Sequence, residues 1–96
     1  MAAIRRIMLD VLKPLREPSI VDLASMLSEL PGVEGVNVTV NEVDVETLSL
    51  TVVIEGNDVP FDRVKEVLEK TGAVIHSVDQ VVAGSKVVEI PRSLEE

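Results

Sequence analysis

The sequence predicts an α+β fold of the ferredoxin-like type, a βαββαβ sandwich with two helices on one face of an antiparallel sheet. Four segments alternate apolar and polar residues with the period of a strand, and two place apolar residues at helical spacing. In chain order they read strand, helix, strand, strand, helix, strand. With 96 residues the chain is long enough for one core and too short for two.

The first strand is predicted from Ile4 to Lys13, where Ile7, Leu9 and Val11 fall on one side. Pro14 ends this strand because proline has no backbone N–H to donate to a neighbouring strand.

A first helix is predicted over residues 20–30, which place apolar side chains at helical spacing. Ser19 stands at the N-cap position and Asp22 completes a short form of the capping box. The pair Pro31-Gly32 ends the helix.

The second strand is predicted over residues 35–45 and changes phase along its length. Its valines occupy even positions up to Val40 and odd positions from Val43, which predicts a β-bulge near Asn41 and Glu42. Residues 48–54 alternate cleanly as a third strand. The short connection between the two strands predicts an antiparallel hairpin.

The second helix is predicted to have Pro60 in its first turn and Gly72 as its left-handed stop. Residues 73–82 then read as the fourth strand, and Lys86 to Ile90 as a short extra C-terminal strand. We expect a single domain over residues 1–90 and a tail over residues 91–96.

This connectivity makes the first and third strands central and the first and fourth strands neighbours. Both helices cover one face of the sheet, so the opposite face is left open. The open face is predicted to present Met8, Asp10, Leu12, Asn37, Thr39, Thr51, Val53 and Glu55.

The charge of the chain disfavours a nucleic-acid partner. Seventeen acidic and nine basic residues give a formal net charge of -8, which phosphate backbones repel. The predicted open face also lacks the aromatic residues on which RNA-binding domains of this fold stack bases, because the chain has one phenylalanine and no tyrosine or tryptophan.

Features that the sequence lacks argue against several kinds of site and of protein. The chain has no cysteine, so it has neither a disulfide nor a thiolate metal site. No apolar run reaches the length of a membrane span and no signal peptide pattern is present, so we expect a cytoplasmic protein. The glycines are scattered singly, which argues against a phosphate-binding loop.

Carboxylates on or beside the predicted strands suggest a site for Ca²⁺ or Mg²⁺, which prefer hard oxygen ligands. The alternative is that these acids form the solvated half of amphipathic strands and protect the sheet edges from aggregation. The spacing does not match an EF-hand. The candidate metal ligands are Asp10, Glu42, Asp44, Glu46 and Asp79, with Glu55 nearby.

His76 is the only histidine and lies in the run His-Ser-Val-Asp on the predicted fourth strand. A catalytic triad with Ser77 and Asp79 is disfavoured, because His76 and Ser77 are adjacent in a strand and point to opposite faces. We expect His76 to contact a ligand or partner, together with the apolar residues Met8, Leu12 and Val53 of the open face.

The connection after the first strand is a second candidate site. Lys13, Pro14, Glu17 and Pro18 read as a stiff turn that fixes the entry to the helix. A bound anion at the helix start is disfavoured because Glu17 and Asp22 would repel it.

Several segments, in this order and spacing, resemble the small archaeal DUF211 family, a domain of unknown function. The resemblance spans nearly the whole chain and implies a ferredoxin-like fold and a homo-oligomer, but no activity. The segments are LDVLKP (residues 9–14), EPSIVDLA (17–24), GVEGVN (32–37), VDVET (43–47), IEG (54–56) and VIHSVDQVVAG (74–84).

Three functions remain open. The first is a non-enzymatic oligomeric module that binds a small ligand or cation between subunits, by analogy with regulatory domains of this fold. The second is an adaptor that docks another protein through the open face. The third is a small enzyme with an acidic site, which would need groups such as Asp10 and Asp79 in one cleft.

Overall fold

The computed structural model describes residues 3–91, so the predicted tail beyond Pro91 lies outside the described residues. Neither of the helices in residues 3–91 has the length and apolar run that crossing a bilayer requires. The elements are β1 (Ile4–Pro14), α1 (Ile20–Ser28), β2 (Val33–Val43), β3 (Thr47–Gly56), α2 (Phe61–Lys70) and β4 (Val74–Ala83).

The predicted ferredoxin-like fold is confirmed. The four strands form one sheet in the order β2-β3-β1-β4, so β1 and β3 are central and β4 lies beside β1. All three strand pairs are antiparallel. The register brings Leu9 opposite Val52 and Val38 opposite the same Val52, so one row of apolar side chains crosses three strands.

The core lies between the sheet and the two helices. Alternate residues of β1 and β3 are completely buried there, as the periodicity predicts. Leu23 and Leu27 of α1 and Val64 and Leu68 of α2 pack against them. The sheet contributes Ile7, Leu9, Val11, Leu50, Val52 and Ile54.

The helix ends follow the predicted signals with two small differences, the first of which is that α1 ends at Ser28 and not at residue 30. The Ser19 hydroxyl accepts a hydrogen bond from the backbone N–H of Asp22 and caps α1. Gly72 has a φ of 80°, the left-handed conformation that glycine adopts without a steric penalty. Pro60 precedes α2, which begins at Phe61, rather than standing in its first turn.

The predicted irregularity of β2 is also confirmed. The pairing of β2 with β3 shifts between Val40 and Glu42, which places the bulge at Asn41. The same shift moves the following valine to the other phase of the strand, so the alternation of the sequence and the register of the sheet agree.

The predicted strand over Lys86 to Ile90 is wrong. These residues follow β4 without pairing to any strand among residues 3–91. Side-chain contacts hold the segment instead, because Arg5 donates to the carbonyl of Ser85 and Arg6 pairs with Glu89. The alternation of residues 86–90 therefore indicates an extended chain with one side against the protein. A strand has the same alternation, so the pattern alone does not distinguish the two.

Candidate functional site, the open face of the sheet

Both helices lie on one side of the sheet, so the other side, the open face, is free of helices. Residues that pair across antiparallel strands point to the same side, and the register therefore gives the layout of this face. Rows of side chains run across it in the order β2, β3, β1, β4. The open-face residues predicted from the alternation are confirmed in these rows.

The middle row of the open face is polar. It contains Thr39, Thr51, Asp10 and Ser77, one from each strand in sheet order. The Ser77 hydroxyl donates to the Asp79 carboxylate at 2.7 Å, so Asp79 joins this row from along β4. Three hydroxyls and two carboxylates thus lie on one stretch of the surface.

Apolar side chains lie on both sides of this polar row. Met8 pairs with Val53 in one neighbouring row, and both are partly buried. Leu12 pairs with Val74 in the other, and these are 41% and 62% exposed. The open face is therefore not the uniformly polar surface expected of a sheet side that meets only water.

One end of the open face is covered by the terminal segment, residues 85–90. Arg6 on β1 makes two parallel hydrogen bonds to the Glu89 carboxylate, each 2.9 Å long, and another of 2.7 Å to Glu55. Bidentate pairing of arginine with a carboxylate is among the stronger polar contacts in proteins. Arg5 adds a hydrogen bond to the carbonyl of Ser85.

This network shifts the protonation of both partners. The hydrogen bonds and charges of Glu89 and Glu55 raise the pKa of Arg6 above its ordinary value. The hydrogen bond from Arg6 lowers the pKa of Glu89 below its ordinary value of 4.5. Both groups are therefore charged at neutral pH, and the terminal segment is held to the sheet.

The structure divides the predicted metal ligands into two groups. Glu42, Asp44 and Glu46 lie exposed at the β2–β3 hairpin. Asp10 lies instead on the central strand β1, and Asp79 lies on the neighbouring edge strand β4 beside Ser77. No group of three or more acidic or histidine side chains within residues 3–91 is arranged to hold a metal ion.

His76 and Asp79 occupy irregular positions on the edge strand β4. The pairing of β4 with β1 shifts between Ile75 and Ser77 and again between Val78 and Gln80, so each falls within a bulge. Bulges twist an edge strand and disrupt its pairing with other chains. The Ser77 hydroxyl donates to Asp79, and within residues 3–91 His76 makes no side-chain hydrogen bond, so these residues do not form the relay of a catalytic triad.

Lys13 is a buried charge in the turn that the sequence identified as a second candidate site. It shares the covered side of β1 with the core residues and is 1% exposed. Its ammonium group donates to the carbonyls of Pro14 and Arg16, at 3.2 and 2.7 Å. Burial lowers the pKa of Lys13 below its ordinary value. The side chain therefore ties the connection to the end of the strand.

The burial of Lys13 was missed, although its odd position in phase with Leu9 and Val11 was a usable signal. The Arg6–Glu89 pair was also missed, because the two residues are 83 positions apart and only the fold brings them together.

Comparison with known proteins identifies the family. The DUF211 family model, described as uncharacterised ArCR, matches residues 5–96. The chain belongs to the DUF211 family. The chain is also similar to the uncharacterised protein MJ0319 of Methanocaldococcus jannaschii. It is 50% identical over 93 residues, which cover 97% of this chain and 95% of that protein. The family resemblance inferred from the sequence segments is confirmed.

Proposed function

We propose that this DUF211 protein is a non-enzymatic cytoplasmic module that assembles with copies of itself through the open face of its sheet. The observation that carries the proposal is the pair of apolar contacts on that face, Met8 with Val53 and Leu12 with Val74. They belong to three of the four strands and flank the polar row on both sides.

Burial of these side chains favours association because it removes apolar area from water. Each square ångström removed contributes about 25 cal/mol. The polar row between them supplies groups that can form hydrogen bonds across an interface, which sets orientation and specificity. An apolar and polar mixture of this kind is typical of interfaces between proteins that are also stable alone.

The absence of enzymatic activity is part of the proposal and is supported by the surroundings of the best catalytic candidates. His76 is exposed on an edge strand, and the hydroxyl of the neighbouring Ser77 donates a hydrogen bond to Asp79 and not to His76. A nucleophile needs a base within hydrogen-bond reach and a third group that orients this base.

The test is the mass of the protein in solution, measured by size-exclusion chromatography with light scattering at micromolar concentration. We expect a multiple of the mass of one chain. Leu12→Asp places a charge on the open face and is expected to shift the protein toward the monomer. Val21→Asp is the matched control, because Val21 is exposed on the opposite, helical side.

A monomeric wild-type protein would contradict the proposed assembly. An assembly that persists in Leu12→Asp and dissociates in Val21→Asp would place the interface on the helices instead. Circular dichroism confirms that each variant is folded before its mass is interpreted.

A second candidate function, binding of Ca²⁺ or Mg²⁺, is favoured by the middle row of the open face. Asp10 lies opposite Ser77, and the Ser77 hydroxyl reaches Asp79, so two carboxylates of neighbouring strands lie near hydroxyl oxygens. Hard cations take six or more oxygen ligands, so water or a second copy would complete the shell.

Isothermal titration with each cation tests this function. Saturable heat that Asp10→Asn abolishes, and that Asp44→Asn at the hairpin leaves unchanged, would support a site in the middle row. Equal loss in both variants would indicate diffuse attraction of cations to an acidic surface.

A further inference from the structure

The two edge strands of the sheet differ in how regularly they pair. The pairing of β4 with β1 runs for at most three residues at a time, because bulges interrupt it at His76 and Asp79. The pairing of β2 with β3 is uninterrupted over the six residues 35–40. No strand of residues 3–91 lies on the outer side of β2, so every second residue of this run directs its backbone N–H and C=O away from the sheet. This outer side of residues 35–40, the β2 edge, is a regular template for a further strand.

The side chains of β2 do not protect this edge. Edge strands are commonly protected by lysine or proline, and β2 contains neither of them and no arginine. The valines on its covered side are also incompletely buried, because Val36 and Val38 are half-buried and Val40 and Val43 are 38% and 65% exposed. The apolar side chains of an added strand would cover these valines by cross-strand pairing.

The charges around the β2 edge have one sign. Residues 17–62 contain ten acidic residues and no lysine or arginine, whereas the rest of the chain contains seven acidic residues and all nine basic ones. This acidic segment includes α1, β2 and β3, and α1 packs against β2. Glu34 and Glu42 flank the regular run, both are exposed, and neither forms an ion pair within residues 3–91.

This charge selects the occupant of the edge. A second copy that paired through the same edge would bring two acidic segments together, which like-charge repulsion disfavours. A basic, amphipathic strand is complementary instead. Its apolar side chains would meet the valines of the covered side, and its basic side chains would lie on the open side, where β2 presents Asn37, Thr39 and Glu42.

We propose that the β2 edge binds an extended segment of another protein that alternates basic and apolar residues and adds to the sheet as a further strand. Backbone hydrogen bonds provide the affinity in this mode of recognition, and the alternating side chains provide the specificity. The edge is separate from the apolar pairs on which the proposed self-assembly rests, because those side chains belong to β1, β3 and β4. The inference therefore adds a partner and does not depend on the assembly.

The test is isothermal titration calorimetry of the wild-type protein with a blocked seven-residue peptide that alternates lysine and valine. We expect saturable binding of one peptide per chain. A peptide with glutamate in place of lysine should not bind, and one with the same lysines and valines in two blocks should bind at least about 10-fold more weakly. No saturable heat up to about 1 mM of the alternating peptide overturns the proposal. Equal binding of the block peptide also overturns it.

Methylation of the peptide backbone tests the strand pairing directly. A residue in a strand directs its N–H and C=O to the same side, so either the lysines or the valines, but not both, face β2. N-methylation of the set that faces β2 removes its donors and should abolish saturable binding. N-methylation of the other set should keep the dissociation constant within about 3-fold of that of the unmodified peptide. Equal effects of the two modifications overturn the proposal.

Variants of the protein locate the site. Glu34→Lys combined with Glu42→Lys should raise the dissociation constant of the alternating peptide at least about 10-fold. The matched control combines Glu66→Lys with Glu69→Lys, which makes the same change in charge on exposed positions of α2. Because α2 packs on β4 and not on β2, the control should stay within about 2-fold of the wild type at physiological salt.

Two outcomes of these variants contradict the proposal. Equal weakening by both pairs of substitutions would show diffuse attraction of a cation to an acidic protein. A change in the mass of the protein on substitution of Glu34 and Glu42, measured by light scattering, would show that a second copy occupies the β2 edge. Circular dichroism confirms that each variant is folded before it is titrated.

Discussion

The two sides of the sheet are built from alternate residues of the same strands, yet they differ in burial and in how their charged groups are paired. Val52 and Val53 are neighbours on β3, and the first is fully buried beneath the helices while the second lies on the open face. The one charged side chain that is buried among residues 3–91, Lys13, lies on the covered side and donates to two carbonyls. On the open side Asp10 has a hydroxyl-bearing residue on each flank and no side-chain partner among the described residues.

Packing within one chain thus buries the apolar side chains of the covered side and pairs its buried charge. On the open side, polar and apolar side chains remain accessible to a partner. The covered side should therefore respond to substitution through the free energy of unfolding. The open side should respond through assembly. The following predictions test that division.

The largest expected effect is at a glycine on the covered side. A Cβ at Gly56 would collide with the carbonyl oxygen of Gly32, whereas a Cβ at Gly35 on the open side of β2 meets nothing within 4 Å. We expect Gly56→Ala to lower the free energy of unfolding by about 3 kcal/mol. Gly35→Ala should leave it unchanged or raise it by about 0.5 kcal/mol.

Urea denaturation followed by circular dichroism measures both glycine variants. Equal stability of the two would contradict the close packing of β3 against the turn at Gly32.

The adjacent valines of β3 give the next largest difference. Val52→Ala leaves a cavity in the core and should lower the free energy of unfolding by about 2 kcal/mol. Val53→Ala removes a partly exposed side chain and should lower it by less than about 1 kcal/mol. Denaturation at a concentration where the protein is monomeric measures this contrast. A larger loss for Val53→Ala would show that the open face is packed within the single chain.

Lys13 gives a smaller effect that depends on pH. Because burial lowers its pKa below 10.5, the folded state binds the proton less tightly than the unfolded state. The contribution of Lys13 to stability should therefore rise as the pH increases through its folded pKa toward 10.5. Lys13→Met should remove this slope and lower stability at neutral pH by about 1 kcal/mol, because two carbonyls lose their donor.

Thermal denaturation of wild type and Lys13→Met from neutral to alkaline pH provides the comparison. Parallel curves for the two proteins would show that Lys13 titrates as an exposed lysine.

The smallest effect is expected at the exposed Arg6–Glu89 pair. The pKa of Glu89 lies below 4.5, so the pair contributes fully above pH 4.5 and is lost as the pH falls through that lowered value. The heteronuclear NOE of the backbone amides of residues 85–90, which reports how well the segment is ordered, should decrease as the pH falls over this range. Arg6→Gln should return the pKa of Glu89 toward 4.5 and lower the NOE already at neutral pH. An NOE that this substitution leaves unchanged would show that other contacts hold the terminal segment.

Much of the fold could be predicted because each signal is local. Ser19 caps α1 through its own neighbour, and the phase change of the valines around Asn41 marks the bulge. The bulges of β4 at His76 and Asp79 could not be predicted, because they depend on pairing with residues of β1 that are 64 to 72 positions away. The error over the predicted fifth strand has the same cause. Alternation at residues 86–90 predicts an extended chain, but whether another strand lies beside it is a tertiary property.

The sequence by itself determined the four strands and two helices of the sandwich and which side of each strand is apolar, because these properties follow from nearest neighbours and from a period of 2 or 3.6 residues. Only the tertiary structure decided that Arg6 binds Glu89, that Lys13 is enclosed by the turn that follows it, and that the predicted metal ligands separate into two groups. The reason is physical. Contacts between distant residues depend on register and strand order, and a single bulge changes the position of every side chain that follows it.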